Sequence, residues 1–70
     1  MFELIDHRYK LDCFALSDAR EALDLTRGEF AHACGWSYQY QWRLEAGMYE
    51  TISESTKNVI EDVLKGNAQC

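Results

Sequence analysis

The chain has 70 residues, of which 47% are apolar, and its 12 acidic and 7 basic side chains leave a formal charge of −5. That length accommodates one domain with a small core, and a cleft enclosed enough for an enzyme is not expected from so few residues. No apolar run approaches the ~18 residues that cross a bilayer, no basic-then-apolar signal sequence opens the chain, and the lack of proline with only 4 glycines is unlike a disordered tail, a mucin-like stalk or collagen.

The cysteines fit a reducing compartment. Cys13, Cys34 and Cys70 are odd in number and widely spaced, whereas a small secreted domain carries an even, denser set. A cytoplasmic protein is therefore expected. His32 and Cys34 are the nearest approach to a metal pair, and they lack a second pair at zinc-finger spacing. We expect no metal, no cofactor and no catalytic residue. No nucleophile stands beside a base. Cys34 reads as a small buried residue, and Cys70 as an exposed one.

The charge is uneven. Residues 1–25 carry three basic and six acidic groups, residues 26–47 carry two of each, and residues 48–70 carry two basic and four acidic. The middle third is thus the part least repulsive to a polyanion. No basic patch accompanies it, which argues against strong nonspecific nucleic-acid binding.

Residues 1–16 are ambiguous. Phe2, Leu4, Tyr9, Leu11 and Cys13 fit an interrupted alternation suited to strands, while Leu4, Ile5, Tyr9 and Cys13 also fit a helical stripe. The reading preferred is an extended arm or short hairpin turning near Asp6, His7 and Arg8. Ser17 and Asp18 then cap a first helix of about two turns, with Ala19, Ala22 and Leu23 inward.

Thr26 is the next N-cap, with Glu29 as its capping-box partner. Phe30, Ala31 and Cys34 form the inward face behind it, and Gly35 ends the helix. Ser37 caps a third helix running from Tyr38 to Glu45 or Ala46, closed by Gly47. The last helix opens near Ser53 and runs to Leu64, with Gly66 closing it. Its stripe of Val59, Ile60, Val63 and Leu64, with Ile52 just ahead, is the clearest amphipathic signal in the chain.

Residues 26–47, TRGEFAHACGWSYQYQWRLEAG, resemble the helix-turn-helix of the Cro and lambda-repressor-like family. The resemblance lies in Thr26, Arg27, Phe30-Ala31, Gly35, Trp36-Ser37, Glu45 and Gly47 at fixed offsets, with Arg20 at the usual arginine of the preceding helix. It covers about residues 16–65. Gln41 departs from it, since the family places an aliphatic residue there, and Trp42 stands where a small residue is usual. The inward stripe shifts to Trp36, Tyr40 and Leu44, turning Tyr38, Gln39, Trp42 and Arg43 outward.

The expected fold is mainly α. It is a compact bundle of four to five short helices containing a helix-turn-helix, open to a short N-terminal strand or hairpin. Residues 1–16 would be the arm, 17–66 the domain and 67–70 a tail. The function implied by the resemblance is a small sequence-specific DNA-binding regulator of phage or bacterial type. Its reading helix would be residues 37–46. Gln39 and Gln41 suit an adenine edge and Arg43 a guanine or phosphate, while Arg27, Ser37 and Tyr38 suit the phosphate backbone.

So few cations require a homodimer, or a partner, on double-stranded operator DNA. The alternative is a protein-binding modulator, antirepressor or antitoxin-like, that docks onto a repressor through Tyr38, Trp42 and Arg43, with Tyr49 alongside. Such side chains are enriched at interface hot spots. A third possibility for Trp42 is that it folds back into the gap left by Gln41.

Overall fold

A computed structural model describes residues 1–66. Strands β1 (Phe2–Ile5) and β2 (Arg8–Leu11) open the chain, followed by helices α1 (Cys13–Ala22), α2 (Arg27–Cys34) and α3 (Tyr38–Glu45). A short strand, β3 (Thr51–Ser53), then precedes helix α4 (Glu54–Leu64). The strands form one antiparallel sheet in the order β1-β2-β3. No described helix is long and apolar enough to cross a membrane.

The expectation of a bundle made of helices is corrected by this sheet, which is part of the core rather than an appended arm. Residues 8–11 are its central strand, and Leu11 is buried in the same cluster as Leu16 and Phe30. The overlooked member is β3. Ile52 had the spacing of one more residue in the α4 stripe. It instead sits in a strand between Thr51 and Ser53, pairs with Tyr9 and is 2% exposed. Alternation over three residues is too short a signal to separate from helical spacing.

The hairpin β1–β2 closes through a two-residue turn, Asp6-His7, flanked by the pair Ile5 and Arg8. Asp6 has φ 56°, a conformation that Asp tolerates better than most side chains. The first helix begins earlier than Ser17. Asp12 caps it, its Oδ1 accepting the N–H groups of Phe14 and Ala15, each at 3.1 Å. Ser17 lies inside the helix that results. The 16/17 boundary therefore falls within α1, and the residue 67–70 tail, with Cys70, lies outside the described residues.

The remaining helix starts follow the side-chain chemistry. Thr26 and Glu29 form a reciprocal capping box on α2: the Thr26 hydroxyl accepts from the Glu29 N–H at 3.1 Å, and the Glu29 carboxylate accepts from the Thr26 N–H at 2.9 Å. That bond, and the Thr26 hydroxyl after it, hold the Glu29 carboxyl below its ordinary pKa. Ser37 caps α3 through the Tyr40 N–H, and Ser53 caps α4 through the Thr56 N–H.

Gly35 ends α2 at φ 83°. Its N–H donates to Ala31, and the Trp36 N–H donates to the same carbonyl, so the chain reverses within residues 35–37 before α3 begins. The α2 and α3 helices then pack directly on one another.

Each helix sends one fully buried large apolar side chain to the centre: Leu16, Phe30, Leu44 and Ile60 respectively. Burying each contributes roughly 1.5–3 kcal/mol. Leu11 and Ile52 add the contributions of β2 and β3. β1 supplies no buried residue.

Two glycine substitutions should differ in sign. Gly35→Ala meets no atom within 4 Å, but its positive φ should cost about 1–2 kcal/mol. Gly28→Ala meets only ordinary contacts at 3.9 Å and should gain about 0.5–1 kcal/mol of helix propensity. Urea unfolding of the two variants measures both.

Candidate nucleic-acid interface

The α3 helix has a polar interior. Gln41 is 0% exposed, at a position where an aliphatic side chain was the expectation. Its amide is used at both ends: Oε1 accepts the Trp36 indole N–H at 2.9 Å, and Nε2 donates to Glu45 Oε2 at 2.7 Å. Glu45 is itself nearly sealed, with 2% of its side chain exposed.

Arg20 of α1 answers that carboxylate with a two-point contact, Nε to Oε2 at 2.8 Å and Nη2 to Oε1 at 3.1 Å. A third Arg20 donor, Nη1, reaches the Leu25 carbonyl at 2.6 Å. Arg27 Nε adds a bond to Glu45 Oε1 at 3.2 Å. The network joins α1, the loop after it, α2, the turn and α3, and every buried side-chain polar atom among the described residues has a partner.

Burial alone would push the Glu45 carboxyl above its ordinary value. The hydrogen bonds from Arg20 and Gln41, the Arg20 charge and the Arg27 bond outweigh it and hold the carboxyl below. Arg27 is raised in turn, chiefly by Glu45 and then by the Tyr38 hydroxyl.

With the inner side of α3 fixed in this way, four side chains of the expected site gather outside. Tyr38, Gln39, Trp42 and Arg43 line one shallow groove of about 310 Å³. Tyr38 is 53% and Trp42 47% exposed. Gln39 and Arg43 lie four residues apart, on one side of the helix, and both are exposed. Ser37 is exposed at the N-terminus of α3, although its hydroxyl is already engaged as the cap.

Three expectations are corrected. Gln41 cannot reach a base edge, because it is buried and both its ends are bonded. Trp42 does not fold back into the gap, since Gln41 fills its own place and Trp36 leans on it. Tyr49 does not join the outer aromatics. It packs against Tyr40, ring centroids 5.5 Å apart, and Tyr40 against Trp36 at 5.1 Å.

Arg27 is half-committed: 41% of its side chain is exposed while Nε serves Glu45. The residues missed as a group are Arg20, Gln41, Glu45 and Trp36. The four-residue step from Gln41 to Glu45 was the available signal.

His32 is exposed and Cys34 buried. Burial pushes the Cys34 thiol up to about 12, so it is neither a thiolate ligand nor a nucleophile near neutral pH. Among the described residues no three His, Cys, Asp or Glu side chains are grouped for a metal. Comparison with protein-family models, curated proteins and solved structures yields no match.

The lowered Glu45 pKa has a definite sign. The carboxylate's contribution is complete above the ordinary value of 4.5 and is lost as pH falls through the lower folded value. Glu45→Gln strands the Arg20 guanidinium and should cost about 3–5 kcal/mol at pH 7. Urea midpoints should show the gap between variant and wild type closing as the pH is taken down through the acid range.

Proposed function

We propose that the chain is a sequence-specific DNA-binding regulator whose α3 is the helix that enters the major groove. The supporting observation is the division of α3 into two sides. Gln41, Leu44 and Glu45 lock it to α1 and α2. Gln39 and Arg43 are left outward, one helical turn apart. An amide and a guanidinium are the donors suited to adenine and guanine edges.

In this reading Tyr38, Ser37 and the free part of Arg27 lie beside phosphates. The cap geometry of α2 and α3 fixes where those groups sit. Residues 26–47 resemble the Cro and lambda-repressor-like pattern, which places the same helix in the groove.

The charge balance bears on stoichiometry. Few cations accompany Arg43 on this face, and the chain as a whole carries −5. One copy neutralises few phosphates, so useful affinity calls for two copies on a palindromic site.

A second reading is favoured by Trp42. An indole 47% exposed beside a tyrosine 53% exposed is a large aromatic surface for a helix that reads bases. It suits docking onto a repressor or other protein, with the same face diverted from DNA.

Random-site selection at low salt with the purified protein separates these readings. The DNA reading expects an enriched sequence. Gln39→Ala or Arg43→Ala should weaken binding to it by about 1–3 kcal/mol without lowering the melting temperature. No enriched sequence, together with a protein complex abolished by Trp42→Ala, would replace it with the second reading.

A further inference from the structure

The two tryptophans are treated in opposite ways. The Trp36 indole N–H is bonded to Gln41, and its ring meets Tyr40 edge-on. Trp42 stands outside the core cluster and is 47% exposed. Among the described residues no side-chain hydrogen bond uses its N–H, and neither aromatic pair includes it.

Tyr38, one turn earlier, is tied back to α2. A Cβ on Gly28 would lie 3.9 Å from the Tyr38 ring, and the Tyr38 hydroxyl is among the groups that raise the Arg27 guanidinium. Trp42 is thus the one aromatic side chain of the α3 groove that nothing in the chain holds.

Its place on the helix is central. At about 100° per residue, Gln39 and Trp42 lie about 60° apart around α3, and Arg43 stands about 40° beyond Gln39. The buried Gln41 and Leu44 are on the opposite side. Gln39 is therefore the middle of the outward face, with Trp42 on the Tyr38 side and Arg43 on the other. A major groove that receives Gln39 receives the indole as well.

An indole brings one N–H donor, no acceptor and a broad apolar ring. In the major groove thymine alone sets a methyl group beside an acceptor, its O4. Cytosine offers an amino donor there, which an indole cannot accept. Guanine offers two acceptors, and adenine an acceptor with a donor, both without an apolar group. Gln39 suits the adenine edge, and every adenine is paired with a thymine whose methyl lies in the same groove.

We propose that Trp42 is a specificity-determining residue that packs its ring on a thymine C5-methyl, at the base pair read by Gln39 or the one beside it. This inference rests on the DNA reading above and narrows its ligand to half-sites with an A·T pair at that place. The exposed indole is then part of base reading rather than an obstacle to it.

The test uses the full chain and the duplex enriched by random-site selection. A parallel selection with Gln39→Ala marks the position whose preference relaxes. Every thymine of each half-site is then replaced in turn by deoxyuridine, which removes the methyl and keeps O4 and the pairing. One replacement, at or beside the marked position, should weaken binding of the unaltered protein about three- to fivefold, the worth of one buried methyl. With Trp42→Ala the same replacement should make no difference. Should that variant melt early or bind too weakly to measure, the deoxyuridine series on the unaltered chain decides alone. A methyl effect that survives in Trp42→Ala, no effect at or beside the marked position, or an enriched site without thymine there overturns the proposal and leaves the DNA reading standing. No enriched sequence at all overturns both.

Discussion

One carboxylate holds the three central helices in their relative places. Glu45 is almost without solvent, and a bare charge there would be intolerable. Arg20 meets it in two places and gives a third donor to the Leu25 carbonyl, while Gln41 and Arg27 take up the remaining acceptor capacity. Hydrophobic contacts among Leu16, Phe30 and Leu44 supply most of the stabilising energy, but they tolerate sliding. A forked guanidinium on a carboxylate does not, because its two bonds need a fixed distance and plane. The angle at which α3 leaves the body is thereby set by a polar contact inside an apolar core.

The sequence revealed some parts of this arrangement more clearly than others. Helix starts at Thr26, Ser37 and Ser53 were readable because a capping hydroxyl acts on N–H groups three residues away, a purely local event. The glycine at 35 was readable for the same reason, through its left-handed backbone. Helix α1 was misread at its start, since Asp12 and Ser17 are both good caps and only tertiary packing chooses Asp12. The strand at 51–53 was unreadable: Ile52 has one apolar neighbour pattern in the chain and another in space, and pairing with Tyr9 across 43 positions decides between them.

The outer face of α3 followed from helical periodicity, which is why Tyr38, Gln39, Trp42 and Arg43 were found together. Gln41 was assigned to that face by residue type, and geometry moved it inside. A polar side chain in a core requires partners of the right kind at the right distances. Trp36 and Glu45 are those partners, one through its indole N–H and the other as a carboxylate. The Glu45 contact is a four-residue step within α3, whereas the role of Trp36 is not visible until the turn at 35–37 brings it back over the helix.

The buried amide of Gln41 also divides the positions of α3 that can be substituted from those that cannot. Within eight residues, those that fasten α3 to the body alternate with those that meet the outside. Variation at 38, 39, 42 and 43 leaves the fastening intact. Substitutions on that outer surface and substitutions in the fastening beneath it are therefore separable within one short helix.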